Sequence, residues 1–72
     1  MQICVVMSPK GELVNEIPPA FCLDDLYRSA ARFACGQEIP TALAQQAVFH
    51  QMMSKEGYSV RWLELSEADA AL

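Results

Sequence analysis

Three cysteines and one histidine are the residues of this chain with the reactivity to do chemistry: Cys4, Cys22, Cys35 and His50. A thiol activated by a histidine base needs the two within hydrogen-bond reach and a third group to orient the imidazole. Cys4 falls in an apolar strand pattern and the other two in helical stretches rich in small residues, so no such arrangement is legible. The four residues make a Cys3His zinc set by arithmetic, but their spacings lack the C-x2–4-C knuckle that structural zinc sites use. Free cysteines acting as small buried hydrophobes explain the three better, and His50 reads as a helix-surface residue. Asp24 and Asp25 are adjacent and point to different sides of a helix. They are first-turn partners of the helix dipole, not an acid–base pair. G-x-G-x-x-G and the P-loop are both absent. This inventory supports no enzyme, and it implies no cofactor and no metal.

What remains is interface chemistry. Arg, Trp and Tyr are the side chains that dominate binding energetics. Lys10 is placed at a hairpin tip, Arg28 and Arg32 share a helix face by i,i+4 spacing, and Arg61 stands beside Trp62, the one tryptophan. Lys10, Arg28, Arg32, Arg61 and Trp62 are therefore the candidate partner-binding residues. Nine acidic against five basic residues give a net charge of −4, which argues against a phosphate-tracking nucleic-acid binder, because that needs clustered Lys and Arg. No stretch approaches the 18 or more apolar residues of a membrane span. The apolar run 3–7 is too short for a signal peptide and is followed at once by turn residues. An odd number of cysteines without regular spacing makes a poor disulfide framework. The expectation is a cytoplasmic protein with a protein partner, no direct nucleic-acid or membrane contact, and a monomeric or weakly self-associating state.

The elements that must position these residues are set by hydrophobic period. Seventy-two residues allow one core. A chain of this size buries only about 60% of its unfolded surface, so its 53% apolar content matters. Residues 2–7 (QICVVM) form a strand apolar on both faces and hence central, with Ile3, Val5 and Met7 on one side and Cys4 and Val6 on the other. Ser8-Pro9-Lys10-Gly11 suits a type I turn completed by a bulge. A returning edge strand, 12–17, then alternates Leu13, Asn15 and Ile17 with Glu12, Val14 and Glu16, and ends at Pro18-Pro19. Phe21, Leu23, Leu26, Tyr27, Ala30, Phe33 and Ala34 recur at helical spacing up to Gly36. A second helix covers about 40–56, with Pro40 in its first turn and an apolar stripe of Leu43, Ala44, Ala47, Val48, Phe49, Met52 and Met53.

Residues 57–65 (GYSVRWLEL) return as a strand whose Tyr58, Val60 and Trp62 alternate with Ser59 and Arg61. Burying Tyr58 and Trp62 offers the largest apolar gain in the chain. Ser66-Glu67-Ala68-Asp69 has the S-x-x-[DE] form of a capping box. The order ββααβ predicts an α+β fold: a three-stranded, mainly antiparallel sheet with two helices on one face. Cys4, Val6, Leu63 and Leu65 are assigned to the open face. Residues 1–66 form the single compact domain and 67–72 a frayed tail.

In size, acidic charge and the helix-to-strand passage ending in GYSVRWLEL, the chain resembles the small phage-encoded inhibitors of bacterial RNA polymerase. Among these it is similar in length to the transcription inhibitors and antiterminators of Xanthomonas phage. The resemblance implies stoichiometric binding to the host polymerase that blocks initiation or alters termination without turnover. The alternatives are a phage antagonist of another host protein or defence system, and a zinc- or thiol-dependent enzyme using the cysteines or His50.

Overall fold

The structure, a computed structural model, describes residues 1–64. Leu65, the 66–69 capping box and the 67–72 tail lie outside the described residues. Within them the order is β1 (Gln2–Met7), α1 (Leu23–Cys35), α2 (Ala42–Glu56) and β2 (Ser59–Glu64). The strands pair antiparallel in one continuous register, from Gln2 opposite Glu64 to Met7 opposite Ser59. The class is α+β, with two helices and a two-stranded antiparallel sheet.

β1 is met on both sides, but only one neighbour is a strand, so among the described residues it is not the centre of a three-stranded sheet. β2 lies on one side of it. On the other, the Cys4 N–H donates to the Ala20 carbonyl (2.8 Å), the Ala20 N–H returns to Cys4 (3.0 Å), and the Val14 N–H donates to Val6 (3.0 Å). The segment 12–17, however, is not a strand. It meets β1 through isolated bridges, Met7 with Leu13 and Cys4 with Ala20, and the Ile17 N–H turns back onto the Val14 carbonyl (3.2 Å). The reason is burial: Val14 and Ile17 are both in the core while Leu13 is exposed. A spacing of three cannot be met by a chain that alternates every two residues. The connecting turn forms as its residues dictate, with the Gly11 N–H donating to the Ser8 carbonyl (2.9 Å) and the Ser8 hydroxyl accepting from the Lys10 and Glu12 amides.

α1 carries Asp24 and Asp25 in its first turn and Arg32 in its last, matching the dipole at both ends. α2 starts two residues later than its sequence suggests. Thr41 is the N-cap, its hydroxyl accepting the Ala44 N–H (3.2 Å), so Pro40 precedes the cap instead of occupying the first turn. Both helices stop at left-handed glycines, Gly36 and Gly57.

The core joins Cys4, Val6, Val14, Ile17, Leu26, Ala30, Phe49 and Met52, with Tyr27, Val48, Tyr58 and Val60 packed around them. The Tyr27 and Phe49 rings meet at 5.1 Å and 43°, a tilted contact favourable for aromatic pairs. Cys4 and Val6 thus face the helices, and Ile3, Val5 and Met7 with Leu63 occupy the opposite side. Cys4 and Val6 are therefore not on the open face expected for them, because a strand apolar on both faces carries no alternation to orient it. Leu63 does lie on the side away from the helices and is exposed. Trp62 is 44% exposed and not a core residue: it sits opposite the buried Cys4, at the border where helical cover ends. Phe21, Phe33 and Ala34 on the α1 side, and Leu43, Ala47 and Met53 on α2, also face solvent. So do Cys22 and Cys35, leaving Cys4 as the buried thiol.

Candidate partner-binding surface

Of the five candidate residues, the structure brings Arg28 and Arg32 together. Phe21 precedes the first helical residue, Leu23, and is 65% exposed. Between it and the outer face of α1 lies a groove of about 420 Å³ lined by Pro19, Asp25, Arg28, Ser29, Arg32 and Glu38. A second groove of about 390 Å³ shares Ser29 and Arg32 and runs between Pro18, Glu16 and Phe33. Pro18-Pro19 thus do more than end a segment: they stiffen the wall that both grooves use.

The two arginines differ in state. Arg28 donates to Asp25 Oδ1 at 2.8 Å across one helical turn. Both side chains are more than half exposed, so this pair orients the guanidinium more than it stabilises the helix. Arg32 makes no ion pair or hydrogen bond from its side chain among the described residues. Arg32 lines both grooves and Phe33 the second, and an arginine so placed suits a bidentate carboxylate of a partner. Glu16 and Glu38 line the grooves, so the surface is of mixed sign with exposed aromatics. That suits a protein partner better than a phosphate backbone.

Lys10 is exposed at the β1 turn. Arg61 lies opposite Val5 and Trp62 opposite Cys4, so these sequence neighbours point to opposite faces of the sheet and make no joint patch. None of the three lines either groove. Sequence reasoning missed Phe21 and Phe33, which it placed in the buried stripe. For Phe21 a signal existed: Asp24-Asp25 mark the first helical turn and leave Phe21 outside it.

Among the described residues no three His, Cys, Asp or Glu side chains converge to hold a metal ion. Cys4 Sγ lies 3.2 Å from the Ala20 carbonyl oxygen and 3.6 Å from that of Cys22. Burial pushes its thiol pKa above the ordinary value, the opposite of what a nucleophile needs. No described helix is long and apolar enough to cross a membrane. Comparison with family models, with curated proteins and with solved structures found no match to this chain.

Proposed function

We propose that this protein is a non-catalytic binding module whose partner is bacterial RNA polymerase, engaged through the α1 face. It acts in the bacterial cytoplasm as a phage inhibitor does, by stoichiometric association that blocks initiation or alters termination. The observation that carries the reading is the pair of adjoining grooves with Arg32 between them and Phe21 and Phe33 at their walls. Exposed aromatics around an arginine are the composition of an interface hot spot.

The test is in vitro transcription with purified bacterial polymerase, titrated with the protein and with Arg32→Glu and Phe21→Ser. Inhibition saturating near one protein per polymerase, and weakened at least about tenfold in either variant while its circular dichroism is unchanged, supports the reading. Full inhibition by both variants removes the α1 face, and Lys10→Glu and Arg61→Glu then test the remaining candidates. No effect of the parent protein on transcription, and no binding to the enzyme, removes the polymerase.

A further inference from the structure

The outer side of α2 points to a second interaction, independent of the α1 face. α2 turns Phe49 and Met52 into the core. On its opposite side Leu43, Ala47, His50 and Ser54 are all exposed, spaced i, i+4, i+7 and i+11. That alternation of four and three is the spacing by which one helix presents a straight seam to another. The outer side of a surface helix is ordinarily charged, yet from Ala42 to Ser54 α2 carries no Asp, Glu, Lys or Arg. Leu43 is 78% exposed, and Met53, on the flank of the seam, 41%. The polar end of the seam is already satisfied. The Ser54 hydroxyl donates to the His50 carbonyl at 2.9 Å, so this serine can enter a packed layer without losing a partner.

We propose that α2 packs against α2 of a second copy, antiparallel about a two-fold axis between Ala47 and His50. In that register every large seam residue meets a small one. Leu43 lies over the second copy's Ser54 and His50 over its Ala47, and the two-fold axis repeats both pairs. Met53 runs beside the second copy's Gln46 and covers the apolar flank. A parallel pair would instead stack Leu43 on Leu43 and His50 on His50, and leave Ala47 facing Ala47 and Ser54 facing Ser54. Its layers would be overfilled and empty in turn. Antiparallel packing also sets the two helix dipoles in their favourable sense. Charge selects the same occupant. Each chain carries −4, so two copies repel at a distance, and the uncharged side of α2 lets them meet without like charges in contact. One helix pair covers an area on the order of several hundred Å², below the ~1,200 Å² of stable complexes, so the dimer dissociates at roughly 100 µM.

The test is sedimentation velocity on the intact chain, from a few micromolar to about 1 mM, at low and at high salt. A dimer is expected at the upper end, strengthened by salt as the charges of the two copies are screened. Leu43→Glu puts a carboxylate into a seam layer and is expected to stay monomeric throughout. Ala47→Leu adds apolar surface but overfills the layer beneath His50, and is expected to weaken the dimer at least about tenfold. A merely sticky face would respond to that leucine in the opposite sense. Both positions are exposed, so each variant should keep the circular dichroism and urea midpoint of the parent. Should one of them unfold, the other variant and the parent's concentration and salt dependence decide. A parent that is monomeric at about 1 mM overturns the proposal. So does a dimer that salt weakens, that Leu43→Glu retains or that Ala47→Leu tightens.

Discussion

Gly57 links the end of α2 to the turn after β1, and replacing it with alanine gives a quantitative check on that junction. Its φ is +85°, and a Cβ built there lies 3.3 Å from Pro9 Cβ, 3.7 Å from Cγ and 3.8 Å from Cα. Gly36 ends α1 in the same conformation, φ +72°, with nothing within 4 Å. Gly36→Ala therefore meets the left-handed penalty alone, about 1–2 kcal/mol, partly offset by the smaller entropy of the unfolded alanine chain, about 0.4–1 kcal/mol. A net loss of about 1 kcal/mol is expected. Gly57→Ala adds a steric conflict with a ring that cannot rotate aside. Pro9 is held in a turn closed by Ser8 N–H to Glu12 (2.7 Å) and Gly11 N–H to Ser8 (2.9 Å), so relief requires backbone movement. Overpacking of this kind costs about 1–3 kcal/mol, bringing the expected loss to about 2–4 kcal/mol.

Against a total stability of about 4–11 kcal/mol for a chain of this length, that is a large share. In urea, with a slope of about 1 kcal/mol/M for a small protein, the two midpoints should differ by about 1 M or more. Adding Pro9→Gly to Gly57→Ala should recover about 1 kcal/mol as coupling. Equal losses at the two glycines, or no coupling to Pro9, would refute the account.

The remaining stability predictions concern the core. Phe49 is fully buried against Tyr27, and Phe49→Ala is expected to lose about 3–5 kcal/mol, flattening the cooperative transition seen by circular dichroism. A loss below about 1.5 kcal/mol would mean that the helix pair is not packed through this ring. Cys4 links stability to pH. Its folded pKa is raised above 9.0 by burial, so the folded state keeps its proton where the unfolded chain has lost one. The stabilisation is complete below about pH 9 and is lost as pH rises through the folded value. Urea midpoints should fall between pH 8 and 10 in the parent and fall less in Cys4→Ala; parallel pH profiles would contradict this. In the native protein Ellman's reagent should titrate Cys22 and Cys35 quickly and Cys4 only on unfolding, since the first two are exposed and the third is not.

The α1 surface is half legible in the sequence. Arg28 and Arg32 fall on one face by spacing alone, and that pairing survives in the fold. Phe21 and Phe33 did not read as surface, because helical period reports that residues share a side, not which parts of that side are covered. α2 shows the same limit: Leu43 fits the apolar stripe yet is 78% exposed, since the stripe is wider than the surface α1 and the sheet offer it. The 12–17 segment failed for a related reason. Its alternation fits a strand, but two core positions three residues apart bent the chain into a turn.

What the sequence by itself determined is everything that depends on neighbours in the chain. Glycines at 36 and 57 stop the helices because only they take a positive φ cheaply. Ser8-Pro9-Lys10-Gly11 makes its turn from its own hydroxyl and ring, and the apolar run QICVVM makes β1 a strand met on both sides, by β2 and by isolated bridges. Which face of β1 meets the helices and which aromatics of the described residues are left in water were decided only in the tertiary structure. Those outcomes depend on how far a finite core extends. Eight buried side chains fill the space between two helices and one strand, and Phe21, Phe33 and Trp62 lie beyond its reach.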